Sequence, residues 1–263
     1  MKYGFIGCGN MGGAIAKALS SKTKDIMLSD YFPEKAAALA EELGCAHGDN
    51  ETVVRTCDRI FLAVKPQVMA DVLTPLQGAF ADKKPLVITM AAGITINRIT
   101  ELLGAELPII RIMPNTPVFV GSGMVLYCHN NLVDAATLTD FLDDAAPCGQ
   151  WDKLEEELID AAGVVSGSGP AYIYMFMDAL AKGAAACGVP EEKALSYAAA
   201  TMIGAAKMVQ QTGIDPITLK NNVCSPGGST LAGVKVLDDG QFGETVMECV
   251  KAAYKRNQEL GKN

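Results

Sequence analysis

Two glycine-bearing stretches hold residue types whose spacing suits ligand chemistry. The first is Gly7-Cys8-Gly9-Asn10-Met11-Gly12, a G-x-G-x-x-G run set between the apolar stretch 2–6 and a helical pattern from Ala14 to Leu19. In that setting the first glycine makes the turn, the second lets a pyrophosphate approach the backbone, and the third lets helix pack on strand. The spacing predicts a dinucleotide site. The second stretch is Ser225-Pro226-Gly227-Gly228-Ser229-Thr230. Pro-Gly-Gly cannot sit inside a helix, and Ser229 and Thr230 stand where the next helical pattern begins, with first-turn N–H groups free. Such a helix start attracts a carboxylate through hydrogen bonds and the positive end of its dipole. Taken alone, it also reads as a turn followed by an N-cap.

The elements that must position the first site alternate in type. Strands are expected at 2–6, Asp25–Ser29, Arg59–Val64, Pro85–Met90 and Ile109–Met113, with short ones near Val125–Cys128 and Cys148–Trp151. Helices are expected at Pro33–Leu43 and Asn50–Thr56. Alternation of this kind implies a parallel sheet covered on both faces, with ligands at the carboxyl ends of the strands. That makes Ala63-Val64-Lys65-Pro66, Ala91-Ala92-Gly93 and Met113-Pro114-Asn115-Thr116 candidate cofactor-lining segments. Asp30 ends the second strand roughly 20 residues past the glycine loop, where an acid would hold the ribose 2′-hydroxyl of NAD. No Arg or Lys lies between Ser29 and Glu34 to receive a 2′-phosphate, so the local pattern leans toward NADH. The other reading of Asp30 is a turn aspartate facing water.

Beyond Trp151 no strand pattern remains and the helices lengthen. The expected division is a dinucleotide-binding domain over 1–152 and an all-helical domain over 153–263, in keeping with about 150 residues per domain. Gly167-Ser168-Gly169-Pro170 is expected to break the chain. Ala171–Cys187 is apolar on nearly every face and must be buried on all sides, most economically in a dimer with intertwined helices. It carries Asp178 and Lys182, which fits a buried helix better than a membrane span. The Met and Tyr stripe at Tyr172, Tyr174, Met175 and Met177 is simplest as core or interface. Hydrophobic residues at 49% supply sizeable cores, and a net charge of −8 speaks against nucleic acid and anionic membranes as partners. Eight cysteines without a Cys-x-x-Cys pair, and only two histidines, argue against a metal site and for reduced thiols. The opening run is too short for a secretory signal, so the expected compartment is the cytoplasm.

Together these pieces resemble pyrroline-5-carboxylate reductase, across essentially the whole chain. The resemblance rests on Phe5–Gly12, Ala63-Val64-Lys65-Pro66-Gln67, Ala91-Ala92-Gly93-Ile94-Thr95, Arg111–Pro117, Gly167–Tyr172 and above all Ser225–Thr230 with Leu231–Asp238. It implies an α/β fold: an N-terminal Rossmann-like doubly wound sheet followed by an all-helical dimerisation domain. It also implies reduction of the cyclic imine to L-proline by NAD(P)H, with dimers that often build larger rings. Carried over by position, Ile6, Gly7, Cys8, Gly9, Asn10, Met11, Asn50, Ala63, Val64, Lys65, Pro66 and Ala92 would touch the cofactor, with Asn222 near it. Glu156, Ser229 and Thr230 would lie at the substrate. The family commonly uses NADPH and often accepts NADH; Asp30-Tyr31 departs from the small or basic residue many members carry there.

Imine reduction suits these residues. A protonated imine accepts hydride at carbon without any base to remove a hydroxyl proton, so no catalytic histidine or lysine is needed. Amides around Gly228, Ser229 and Thr230 would hold the substrate carboxylate, and the Thr230 hydroxyl would bond the ring nitrogen. Two rivals remain. A β-hydroxyacid dehydrogenase would place a lysine base on the first long helix of its second domain, and Ser168–Met177 contains none. A non-catalytic NAD(P)-sensing regulator would keep the first glycine loop and drop the Ser229-Thr230 site.

Overall fold

The computed structural model describes residues 2–260. Short apolar runs become the strands of one eight-stranded sheet: β1 (Tyr3–Ile6), β2 (Ile26–Ser29), β3 (Ala46–His47), β4 (Arg59–Leu62), β5 (Leu86–Thr89), β6 (Ile109–Met113), β7 (Gly123–His129) and β8 (Gly149–Lys153). Their order is β3-β2-β1-β4-β5-β6-β7-β8. Strand order reverses at β1, so the connections after β1 and β4 leave on opposite sides, the arrangement that opens a crevice at the carboxyl ends.

Alternation along each strand divides the core between the two faces. Tyr3, Phe5, Phe61, Ile88 and Ile110 pack with α1 (Asn10–Leu19), α2 (Pro33–Leu43) and, further along, α7 (Ala135–Ala145). Ile6, Ile60, Leu62, Val87 and Ile109 pack on the other face with α3 (Asn50–Thr56), α4 (Met69–Leu73), α5 (Gln77–Lys83) and α6 (Ile96–Leu103). Burial on both faces explains why these strands read as unbroken apolar runs.

Two sequence expectations need correction. The sheet is not wholly parallel: β6 and β7 pair antiparallel, Ile112 opposite Tyr127. Only the 3-10 stretch Thr116–Val120 joins them, too short for the crossover a parallel pair needs. Nor does Gly167–Pro170 break the chain outright. After α8 (Glu156–Gly163) the backbone makes a π-helical turn, Val164–Ser168, and α9 (Gly169–Ala186) begins at once. A wider turn accommodates Pro170, which has no N–H to donate.

The chain forms two compact units, one running to Ser168 and taking in the last helix from Ala253, the other Gly169–Ala252. The second unit consists of α9, α10 (Glu191–Thr212), α11 (Pro216–Val223), α12 (Ser229–Asp239) and the start of α13 (Phe242–Leu260). Its buried core is thin: Ala181, Ala194 and Ala198, with Met177, Ala184 and Val189 packed around them. Larger apolar side chains, among them Ile173, Tyr174, Met175 and Ile203, lie exposed. No helix among the described residues is long and apolar enough to cross a membrane.

Candidate functional site

The glycine loop is shaped by close approach at two positions and by open space at a third. Gly7, just past β1, adopts φ +104°, and a methyl group there would lie 2.7 Å from the Ala63 carbonyl oxygen. At Gly12 a methyl would fall 2.4 Å from the Gly7 carbonyl oxygen, so α1 can rest on the loop only with glycine there. At Gly9, the residue before α1, an added methyl would meet nothing within 4 Å. No side chain caps α1, which leaves its first-turn N–H groups at Asn10, Met11 and Gly12 without helical partners. Open backbone at Gly9 above those donors fits a pyrophosphate.

Neighbouring strand ends complete the cradle. Ala63 follows β4 and donates its N–H to the Ile6 carbonyl at 2.9 Å. Val64 is half-buried, Lys65 is exposed, and Pro66 starts a 3-10 turn. After β5, Ala92 is exposed beside Gly93 at φ +73°. Asp30 is tied to the loop directly: its Oδ2 accepts the Cys8 N–H at 2.7 Å, and its Oδ1 accepts the Phe32 N–H at 3.0 Å. Asn50, the first residue of α3, is held by the Ser29 hydroxyl, which donates to its Oδ1 at 2.7 Å. Burial, reinforced by the Asp30 charge, pushes the Cys8 thiol up to about 12, so Cys8 is a neutral loop residue and not a nucleophile. The expected cofactor residues of the first unit thus come together at the carboxyl ends of β1, β2, β4 and β5.

Glu156 opens α8, and its Oε1 accepts the Ile96 N–H at 2.7 Å and an Arg111 N–H at 3.3 Å. Arg111 also donates to Asp160 Oδ1 at 2.6 Å. The carboxylate therefore anchors the start of α6, directly after the Ala91–Thr95 segment. Motif reading gave no role to Asp160 or Ser29 and no purpose to the charge of Arg111. A signal was present: an arginine in the middle of an apolar strand is buried only with partners.

The second unit holds Asn222, exposed near the end of α11, and the glycine turn. Ser225-Pro226-Gly227-Gly228 closes with the Gly228 N–H donating to the Ser225 carbonyl at 3.0 Å, Gly227 taking φ +74°. Proline at the second turn position and a positive-φ glycine at the third make a type II turn. The Gly228 N–H is engaged in the turn, so the amides left for a ligand are those of Ser229 and Thr230, at the start of α12, which no side chain caps. Both residues are exposed. Glu156 lies in the first compact unit, and Asn222, Gly228, Ser229 and Thr230 lie in the second.

Comparison with known proteins gives this arrangement a family. Residues 156–260 match the family model for pyrroline-5-carboxylate reductase dimerisation, and residues 2–93 match that for NADP oxidoreductase, coenzyme F420-dependent. Pyrroline-5-carboxylate reductase of Escherichia coli K12 is 38% identical over 100% of this chain and 99% of its own. That of Arabidopsis thaliana is 37% identical, over 100% and 96%. The crystal structure of the Streptococcus pyogenes 1-pyrroline-5-carboxylate reductase superimposes with a TM-score of 0.90 at 30% identity, covering 98% of each chain. That of Plasmodium falciparum pyrroline carboxylate reductase with NADP bound gives 0.88 at 30%, covering 99% of this chain and 98% of that one. With a glycine cradle at one end, an uncapped Ser-Thr helix start near the other, and likeness over its full length, this chain belongs to the pyrroline-5-carboxylate reductase family.

Proposed function

We propose that this chain reduces 1-pyrroline-5-carboxylate to L-proline with NAD(P)H, the last step of proline biosynthesis, and does so in the cytoplasm. The observation that carries the reading is the uncapped start of α12 behind the Ser225–Gly228 turn, in a chain alike to the curated reductases from end to end.

Residues 1–152 form the dinucleotide-binding domain in this reading. The first-turn amides of α1 and the open backbone at Gly9 hold the pyrophosphate. Ala63–Pro66 and Ala92 line the remainder, and Glu156, through the Ile96 N–H, fixes the segment after Ala92. The cofactor supplies a hydride to the imine carbon.

Residues 153–263 form the dimerisation and substrate-binding domain, and the chain self-associates through it. The Ser229 and Thr230 amides, at the positive end of the α12 dipole, take the substrate carboxylate. The Thr230 hydroxyl, a donor and an acceptor, bonds the ring nitrogen and keeps the proton there. A protonated imine carbon is the stronger electrophile, so holding that proton lowers the barrier without a histidine or lysine base. Held at its carboxylate and its nitrogen, the ring is oriented with its imine carbon free to meet the hydride donor.

The test is the imine-dependent loss of nicotinamide absorbance with purified protein and either NADH or NADPH, followed by identification of the product as proline. Oxidation that depends on the imine supports the assignment. Folded protein that binds the dinucleotide and oxidises neither form overturns it.

A further inference from the structure

We infer that the adenosine end of this chain's cofactor site is built for an unphosphorylated ribose, with Asp30 as the residue that selects NADH over NADPH and Tyr31 as the shelf beneath the adenine. This rests on the reductase reading for its meaning in the cell and deepens it at one subsite.

Asp30 stands just beyond β2, beside the glycine loop that follows β1. Its two oxygens are fixed by backbone donors from different segments, Oδ2 by the Cys8 N–H at 2.7 Å and Oδ1 by the Phe32 N–H at 3.0 Å. A carboxylate held in that way cannot swing aside to admit a competing anion. Each oxygen keeps a further lone pair, so the group still accepts from ribose hydroxyls, which are donors. A 2′-phosphate at neutral pH offers little but acceptor oxygens and roughly −1.5 to −2 of charge. Set against Asp30 it would gain no hydrogen bond and would meet like charge.

The residues that directly follow Asp30 bring no cation to reverse that sign. Between Ser29 and Glu34 there is neither Lys nor Arg. Lys35 places its Nζ over the Phe32 ring, 4.7 Å from the centroid. On α3, Arg55 donates twice to Glu51, at 2.9 and 2.8 Å. Lys24 is bound to the Leu43 carbonyl and Lys17 to Glu42.

The aromatic pair after Asp30 is an independent observation. Tyr31 is 90% exposed, an unusual place for so large an apolar ring. It forms a T-shaped pair with Phe32, the ring centroids 5.1 Å apart and the planes at 89°, and Phe32 is itself held by the Asp30 bond to its N–H and by Lys35. A braced ring with an open face beside a ribose acceptor is a stacking surface for a base.

Binding of fragments without nicotinamide tests this with no turnover. Calorimetry on the full-length wild-type protein would compare ADP-ribose with its 2′-phosphorylated form, then NADH with NADPH. The expected result is tighter binding of both unphosphorylated ligands, by about tenfold or more. Asp30→Ser should narrow that ratio mainly by improving the phosphorylated ligands, and Tyr31→Ala should weaken both kinds alike. Equal or tighter binding of the phosphorylated forms by wild-type protein overturns the inference, as does an Asp30→Ser protein with an unchanged ratio. If Asp30→Ser fails to fold, the wild-type comparison decides. Selective ADP-ribose binding by a protein that reduces no imine would sink the reductase reading alone.

Discussion

Arg111 and Glu156 are joined across the first unit by a hydrogen bond of 3.3 Å, and the same Glu156 oxygen takes the Ile96 N–H at 2.7 Å. The guanidinium is 1% exposed, whereas the Glu156 and Asp160 side chains keep 28% and 30% of their surface. A buried cation in the sheet is thus paired through its two terminal nitrogens with two carboxylates one turn apart on α8, one of which also anchors α6, while its Nε has no partner among the described residues.

Removing the closer partner should cost stability. Breaking a fully buried pair costs about 3–5 kcal/mol, and the solvent reaching Asp160 lowers that, so Asp160→Asn should lose about 1–3 kcal/mol. The urea midpoint at constant slope measures it. No change would mean that Glu156 and water satisfy Arg111 between them.

The glycine loop separates folding from binding. Gly12→Ala puts a methyl 2.4 Å from the Gly7 carbonyl oxygen and 2.8 Å from Ala63 Cβ, and should destabilise by about 1–3 kcal/mol. Gly9→Ala meets no protein atom within 4 Å, so its melting temperature should stay near wild type while dinucleotide affinity falls by about tenfold or more, the methyl standing where the proposed site brings the pyrophosphate. Thermal melts with and without NADH read both. A Gly9→Ala protein that binds normally would move the pyrophosphate elsewhere.

The contrast between those glycines also marks what the sequence could say. Strands 109–113 and helices 33–43 and 50–56 were legible to the residue, because apolar runs and caps are local properties. The antiparallel pairing of β6 and β7 was not, since it depends on how short the connection turns. Sequence periodicity assigns no helix to 66–83, where Pro66 and Pro75 interrupt the repeat; the chain there folds into short 3-10 stretches around α4 and α5. At the site, the motifs named the positions and left the bonds unseen. The distance of Asp30 from the loop marked it as a residue that would hold a ribose, but its grip on the Cys8 N–H is a contact between segments distant in sequence. The Gly228 amide, expected among the carboxylate donors, closes its own turn.

Acid should unfold the first unit through particular carboxylates. Hydrogen bonds from the Thr52 and Thr137 backbones hold Asp49 and Asp134 below the ordinary 3.8, and the bond from Arg59 does so for Asp140. A depressed folded pKa contributes stability that is complete above the ordinary value and is lost as pH falls through the folded one. Stability should therefore hold from neutrality down to about pH 4 and then decline. In Asp49→Asn/Asp134→Asn protein, part of that decline should disappear. Melting temperatures between neutral and strongly acid pH check it, and superimposable acid limbs would place the sensitive groups elsewhere.

Thr230 is open to a sharper test, because the proposed mechanism gives its amide and its hydroxyl separate duties. Thr230→Ala keeps the amide at the start of α12 and loses the hydroxyl. Turnover should drop by about 100-fold or more, while NADH affinity stays unchanged. Thr230→Ser restores the hydroxyl and should recover most of the rate. Wild-type turnover in Thr230→Ala would remove the hydroxyl from the mechanism, and failure of serine to rescue would point to the methyl group's packing.

The exposed apolar surface of the second unit predicts how its copies associate. Ile173, Tyr174 and Met175 are consecutive on α9 and 52%, 58% and 73% exposed. Adjacent helical positions are about 100° apart, so these three span more than half the circumference and no flat contact could cover them. On α10, Tyr197 and Ile203 are exposed at 59% and 57%. Such a helix must be enclosed by a partner, not merely touched, which is why the dimer should be intertwined. Met175→Asp combined with Ile203→Asp should reduce the mass seen by light scattering by roughly a factor of two or more. Glu192→Lys, a charge reversal at an exposed polar position of α10, should leave that mass unchanged. A double variant that keeps the wild-type mass would show that copies meet through another surface, and the exposed α9 rings would then need a different explanation.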